Sequence, residues 1–237
     1  MKAKLHDFQI IANIQQELNQ QLKDDSLIIL EGGKDDKYHQ SAYEYNSEKQ
    51  ITYLNLSELE LYELPRSLAY LEHLETLVLY DNYLTDISPI LIKPLKIKHL
   101  CLTKNPIQNI SPDLCKLKHL QTLELSFTEL AYLPKYFGDL VQLKKLTLYN
   151  SKLSYLPESF SKLERLEHLD LSYNQLNLIP ELLADLHSLK TLKLSGNNLH
   201  EIPSFILHLP HLEQLDLYDN PNLKKLENVP QTLSINL

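Results

Sequence analysis

Along most of the chain the apolar residues fall into one short arrangement, L-x-x-L-x-L. It opens at Ile51, Leu74, Ile97, Leu120, Leu143, Leu166, Leu189 and Leu212, each 23 residues after the last. In the copy Leu166-Glu167-His168-Leu169-Asp170-Leu171, the central leucines Leu169 and Leu171 lie two apart with a polar residue between them. That is the period of a strand with one face buried and the other wet. After Leu176 the apolar spacing changes to three or four, at Ile179, Leu183 and Leu186, and Pro180 stands at the start. Proline has a fixed φ that suits a first helical turn and lacks an N–H that such a turn does not need, so this stretch predicts a 3₁₀ or short α return.

A strand followed by a parallel strand needs a crossover, and the ~12 residues left in each copy suffice only for a compact one. Right-handed crossovers stack such units into a curved solenoid. Strands sit ~4.8 Å apart whereas the bulkier returns need more room. The fold class expected is therefore α/β: a right-handed horseshoe with a parallel sheet on its concave face and 3₁₀ or short helical returns on its convex face.

These residues resemble the leucine-rich repeat family in its 23-residue form, LxxLxLxxNxLxxLPxxφxxLxxL, over residues 51–237, as eight full repeats and a partial ninth. The resemblance implies a buried asparagine that bonds turn backbone after each strand, matched by Asn82, Asn105, Asn174, Asn197 and Asn220. Thr128 and Ser151 put hydroxyls in its place, and Leu59 occupies it in the first repeat, which reads as an edge adaptation. The family's Leu-Pro step is matched by Leu64-Pro65, Leu133-Pro134, Leu156-Pro157, Ile179-Pro180 and Ile202-Pro203. The second and third repeats shift it to Ser88-Pro89 and Ser111-Pro112, and Pro94 replaces a leucine, so the convex side is expected to be irregular there. The family serves widely as protein-binding modules, including in intracellular bacterial proteins and signalling scaffolds, which implies a protein partner and no cofactor.

Leu5, Phe8, Ile11, Ala12, Leu18 and Leu22 lie at helical spacing, so residues 1–50 are expected to be a helical cap covering the first repeat's core. Ser26 to Leu30 reads as a short buried strand, and Glu31 to Asp36, without Walker spacing or EF-hand alternation, as a turn. At the other end Leu233 and Ile235 repeat the signature early, with no separate cap after them. An open strand edge there is expected to pair with a second copy or to fray.

Composition adds bounds. Met1 to Asp7 is charged and polar where a signal peptide needs an apolar run, and no segment approaches the ~18 apolar residues of a membrane span. Cys101 points out of a strand and Cys115 lies on the return of the same repeat, so they cannot bridge, and cysteine caps like those of the family's extracellular members are missing. The cytoplasm is the expected compartment. A formal net charge of -8 with mixed signs argues against nucleic acid.

Outward side chains form columns across the repeats. Tyr80, Phe127, Tyr149, Tyr173 and Tyr218 put large aromatics on this surface, and Glu124, Lys145, His168, Asp170 and Lys193 surround them, making these ten residues the candidate partner-binding set. Alternating charges on neighbouring strands, such as Lys144, Glu167, Lys190 and Glu213, satisfy one another at ~0.2 to 1 kcal/mol per pair. The run His168, Asp170, Ser172 fails as a catalytic triad, because the acid sits in the middle and alternate strand residues are ~6.8 Å apart. His99 with Cys101 would lie on an open sheet without an oxyanion site, and His99 and His168 are too far apart to share a metal. The sequence thus favours a non-catalytic protein-binding module over an exported bacterial effector using the same face on a host protein, and over an enzyme.

Overall fold

A computed structural model describes residues 7–21, 31–32, 41–93, 95–224 and 233–237. Their strands form one eleven-stranded sheet in simple sequence order. Eight of them carry the repeats: β3 (Ile51–Leu56), β4 (Thr76–Val78), β5 (His99–Cys101), β6 (Thr122–Glu124), β7 (Lys145–Thr147), β8 (His168–Asp170), β9 (Thr191–Lys193) and β10 (Gln214–Asp216); β11 (Ser234–Asn236) follows. From β3 to β10 equivalent positions pair, as in Leu77 with Leu100 and Leu100 with Leu123. A constant repeat length therefore puts every leucine column in register. Hydrogen bonds extend each ladder beyond the three-residue strand: next to β5, Lys98 N–H donates to Glu75 O at 2.7 Å, and Leu79 N–H to Cys101 O at 2.9 Å.

The returns are 3₁₀ turns at Arg66–Tyr70, Pro112–Lys116, Phe137–Asp139, Glu158–Lys162 and Glu181–Asp185, with four-residue α-turns at Ser88–Leu91 and Ser204–Leu207. The expected irregularity of the second repeat is visible in the first of those α-turns; Pro94 lies outside the described residues. Buried Phe137 and Phe160 stack in parallel with centroids 5.9 Å apart, within the part of the core that the returns supply. A Cβ on Gly138 would come within 1.6 Å of Ser159 O, so only glycine permits this close approach of returns.

The N-terminal region departs from the helical cap read from the sequence. It contains helix α1 (Asp7–Gln21) but also β1 (Glu31–Gly32) and β2 (Ser41–Tyr45), and β2 runs antiparallel to β3. Asn46 drives the reversal. Its Oδ1 accepts from Glu48 N–H and Gln50 N–H, both at 3.0 Å, and Lys49 takes φ 59°. The stretch read as a turn thus begins with two strand residues, and Ser26 to Leu30 lie outside the described set. On α1 the buried positions are Ile10, Ile11, Ile14 and Leu18, whereas Ala12 is exposed. Two carboxylates fasten this helix: Asp7 Oδ2 accepts Ile51 N–H at 2.7 Å, and Glu17 accepts Arg66 N–H at 2.7 Å and the Ser67 hydroxyl. Glu17 thereby caps the first 3₁₀ turn.

The asparagine column closes the turn after each strand. Asn174 Nδ2 donates to Leu148 O at 2.7 Å in the preceding repeat and to Leu171 O at 3.0 Å in its own, and its Oδ1 accepts Leu153 N–H at 3.0 Å. Asn82, Asn105, Asn197 and Asn220 repeat the pattern. Replacing Asn174 by alanine orphans these buried backbone groups at ~1 to 3 kcal/mol each. Denaturant titration of Asn174→Ala should show a loss of at least about 2 kcal/mol, and an unchanged midpoint would contradict the role given to this amide.

Candidate functional site

Each strand ends in a residue that turns the chain toward the return, and this position takes the left-handed conformation in every repeat. Glu58, Asp81, Lys104, Phe127, Asn150, Tyr173, Gly196 and Asp219 all have φ between 51° and 61°. Their N–H groups continue the ladder into the next repeat, as in Phe127 N–H to Tyr149 O at 2.8 Å and Tyr173 N–H to Ser195 O at 2.7 Å. Asparagine, aspartate and glycine tolerate this geometry, but bulky residues are costly there. Phe127 and Tyr173 occupy it nevertheless.

The structure joins three of the five candidate aromatics. The Phe127 and Tyr149 ring centroids lie 5.1 Å apart, as do those of Tyr149 and Tyr173, and both pairs are tilted by 53°. Phe127 is 46% and Tyr173 39% exposed, and Tyr149 is half-buried between them. The Tyr173 ring then lies across Gly196, where an added Cβ would come within 2.5 Å of it. The result is a ladder of rings running across successive strands, one repeat at a time. Tyr80 stands apart: Lys104 Nζ sits 4.8 Å from its ring centroid and also bonds Asp81 at 3.2 Å. Tyr218, 55% exposed, borders the far end of the ladder, because the Gly196 under the Tyr173 ring donates its N–H to Tyr218 O at 2.8 Å, and Asp216 and Asp219 lie in the same repeat as Tyr218. Desolvation is the main reason the Tyr173 phenol is pushed up, and these neighbours add to it.

The charged candidates pair mostly with one another. Lys145 bonds Glu124 at 2.8 Å, and Lys193 reaches Asp170 at 3.9 Å; Glu75 with Lys98 (2.7 Å) and Glu167 with Lys190 (2.6 Å) follow the same rule on neighbouring strands. The Lys190 contact holds the Glu167 carboxyl below its ordinary range. His168 is exposed on β8 between Lys145 and Thr191, its register partners.

Asp170 Oδ1 accepts Ser172 N–H at 3.0 Å, which uses this acid to shape its own strand. Beside His99, Cys101 lines a shallow depression of about 210 Å³, and burial pushes its thiol pKa up. A raised pKa withholds the nucleophilic thiolate. Among the described residues no three His, Cys, Asp or Glu side chains converge as a metal site.

A feature the sequence reading missed lies on the opposite flank. Tyr132, Tyr136 and Tyr155, with Pro134 and Pro157, line a groove of about 1100 Å³ at the start of the returns, and the Tyr132 hydroxyl donates to Asn109. The signal was present, since Tyr132 and Tyr155 are 23 residues apart.

A sheet of like units stacked in register and presenting aligned columns defines a repeat solenoid. Residues 149–199 match the family model described as leucine rich repeat, and residues 187–231 the model for leucine rich repeats in two copies. No curated protein matches the chain. Among solved structures, a leucine-rich repeat protein of Leptospira interrogans is similar at 30% identity and TM-score 0.74, covering 79% of this chain and 48% of that one. Internalin C2 of Listeria monocytogenes is similar at 24% identity and TM-score 0.68, covering 79% of each chain. The internalin inlF of that organism gives 18% identity and TM-score 0.69, covering 82% of this chain and 64% of its own. At these lower identities the internalins show the fold alone, and this chain spans about half the length of the Leptospira protein. The chain is a leucine-rich repeat protein with the horseshoe fold of that family.

Two outcomes test this description. Phe127→Asn replaces a strained ring with a residue suited to φ > 0, a relief of about 1 kcal/mol, so its thermal midpoint should equal or exceed the parent's; a large drop would mark the ring as structural. Burial raises the Cys115 thiol to about 11. Its raised folded-state pKa stabilises the fold below about pH 9 and loses that contribution as pH rises through 11. Thiol titration at pH 8 should find Cys115 unreactive until denaturant is added.

Proposed function

We propose that the protein is a binding module that holds a partner protein against its concave sheet and performs no chemistry of its own. The observation that carries this reading is the Phe127, Tyr149 and Tyr173 ladder. Two of its three rings occupy backbone positions that disfavour them. Rings kept at a cost to the free molecule, partly exposed and fixed by one another, are suited to anchor an interface. The paired charges Glu124 with Lys145 and Asp170 with Lys193 supply its polar rim, with His168 between them. Leucine-rich repeat proteins are generally interaction modules, and that supports the reading. A reducing, cytoplasmic setting fits the two free thiols.

Capture from native lysate with the intact chain as bait tests the proposal. Tyr149→Ala with Tyr173→Ala should weaken retention of the parent's partner at least about tenfold while leaving the fold intact. Lys116→Ala with Lys118→Ala, on the convex side, should capture as the parent does. The opposite pattern would sink the concave-face assignment.

A further inference from the structure

The sign of the outward charge alternates along the repeats, and each acidic repeat from the second to the sixth is answered by a lysine of the next: Glu75 by Lys98, Glu124 by Lys145, Glu167 by Lys190. The eighth repeat breaks this order. It carries exposed Glu213 and Asp219 and half-buried Asp216, and the strand beyond offers Ser234, Ile235 and Asn236. Among the described residues none of the three acids has an ion-pair partner. Lys193, the register partner of Asp216 on the other side, reaches Asp170 instead.

Asp216 is also fixed in place. Its Oδ1 accepts Tyr218 N–H at 3.2 Å and the Asn236 amide at 2.9 Å, and among the described residues Oδ2 has no hydrogen-bond partner. Tyr218 and Tyr173 flank the same corner: the Tyr173 ring lies across Gly196, whose N–H donates to Tyr218 O at 2.8 Å, so Tyr218 and the Asp219 that follows it stand beside that ring. Uncompensated carboxylates beside exposed rings recognise a cation with a flat, weakly hydrated head. Guanidinium meets both demands, because it stacks on aromatic faces and bonds carboxylates in a fork; ammonium does neither as well.

We propose that Tyr173, Tyr218, Asp216 and Asp219 form a receptor for an arginine side chain on the protein segment that occupies the concave face. The assignment rests on the concave-face reading and deepens it. The aromatic ladder takes the segment's apolar part, and the acidic corner sets which end of the segment lies over the eighth repeat.

The probe is a fluorescein-labelled heptapeptide with two arginines separated by glycine and serine, compared by anisotropy with the same peptide carrying citrulline. The arginine peptide should bind the full chain and lose affinity with added salt, and the citrulline peptide should not bind. Asp216→Asn with Asp219→Asn keeps the Oδ1 acceptor and suits φ > 0, so it should fold normally and bind at least about tenfold more weakly. Tyr173→Phe should bind as the parent and Tyr173→Ala weakly. Glu63→Gln with Glu164→Gln, which removes equal charge from exposed positions outside the strands, should leave affinity unchanged. An equal loss in that control, or binding of citrulline peptide, overturns the receptor. So does a dimer in sedimentation that the Asn pair dissolves, since a second copy would then be the occupant. In lysate capture, full retention by Tyr149→Ala with Tyr173→Ala sinks the concave-face reading itself. Loss there with full retention by Asp216→Asn and Asp219→Asn sinks the arginine corner alone.

Discussion

A chain that leaves a strand and dives into the core must find partners for the peptide groups it takes with it. Here the need arises once per repeat, in the same place, and a buried amide meets it. Asn174 ties Leu148 O of one repeat to Leu171 O of the next while accepting Leu153 N–H, so one side chain closes its own turn and clamps two repeats together. Water cannot reach these sites to substitute, and an unmade bond there would cost about as much as the net contribution of several good ones. The constant register of the leucine columns depends on this closure being repeated without slippage.

Constant register makes the concave surface a set of columns, and each column inherits one backbone conformation. The left-handed residue after every strand illustrates the effect. At Gly196, Asp219 and Asn150 the side chain suits the backbone, but at Phe127 and Tyr173 it opposes it. Neighbouring N–H bonds to Tyr149 O and Ser195 O hold those two residues where they are. Gly196 in turn leaves the space that the Tyr173 ring fills. The same periodicity places opposite charges side by side, so most acids on this face face lysines at near-contact distance.

Periodicity also decided what could be read from the sequence. The strands and returns recur every 23 residues, and eight copies of the leucine pattern, five with the asparagine and five with the proline step at fixed offsets, leave one arrangement that buries the leucines together. Where the repeat gives out, so did the reading. Ser41–Tyr45 pairs antiparallel through a single Asn46 turn, a local device with no second copy to expose it. On α1 the choice of Ala12 over Ile10 and Ile14 followed a helical wheel without the partner surface that decides which face is buried. The contiguity of Phe127, Tyr149 and Tyr173 was legible because columns are; the strain at Phe127 and Tyr173 was not, because φ at that step is set by the turn and only half of the column, at Asp81, Asn150, Gly196 and Asp219, carries residue types that mark it. Tyr132, Tyr136 and Tyr155 stand by the returns, outside the strand columns, where the aromatic periodicity carries no strand signal.

Two repeats carry hydroxyls where five others carry the amide, and the two hydroxyls differ in kind. Ser151 Oγ still reaches back to Leu125 O at 3.2 Å, but Thr128 Oγ1 bonds Leu125 O of its own repeat at 2.9 Å and Ser151 Oγ at 3.0 Å. Ile107 N–H, which an amide at 128 would have taken, turns to Asn105 O at 2.7 Å. Among the described residues, the seam between the third and fourth repeats therefore lacks the buried side-chain staple that crosses the asparagine-bearing junctions. In a quasi-one-dimensional stack each repeat is held mainly by its neighbours, so a weak seam separates two cooperative blocks. Tension applied to the two ends would open the molecule there, and Phe127, Tyr149 and Tyr173 would stay together on the surviving C-terminal block with their mutual packing unbroken.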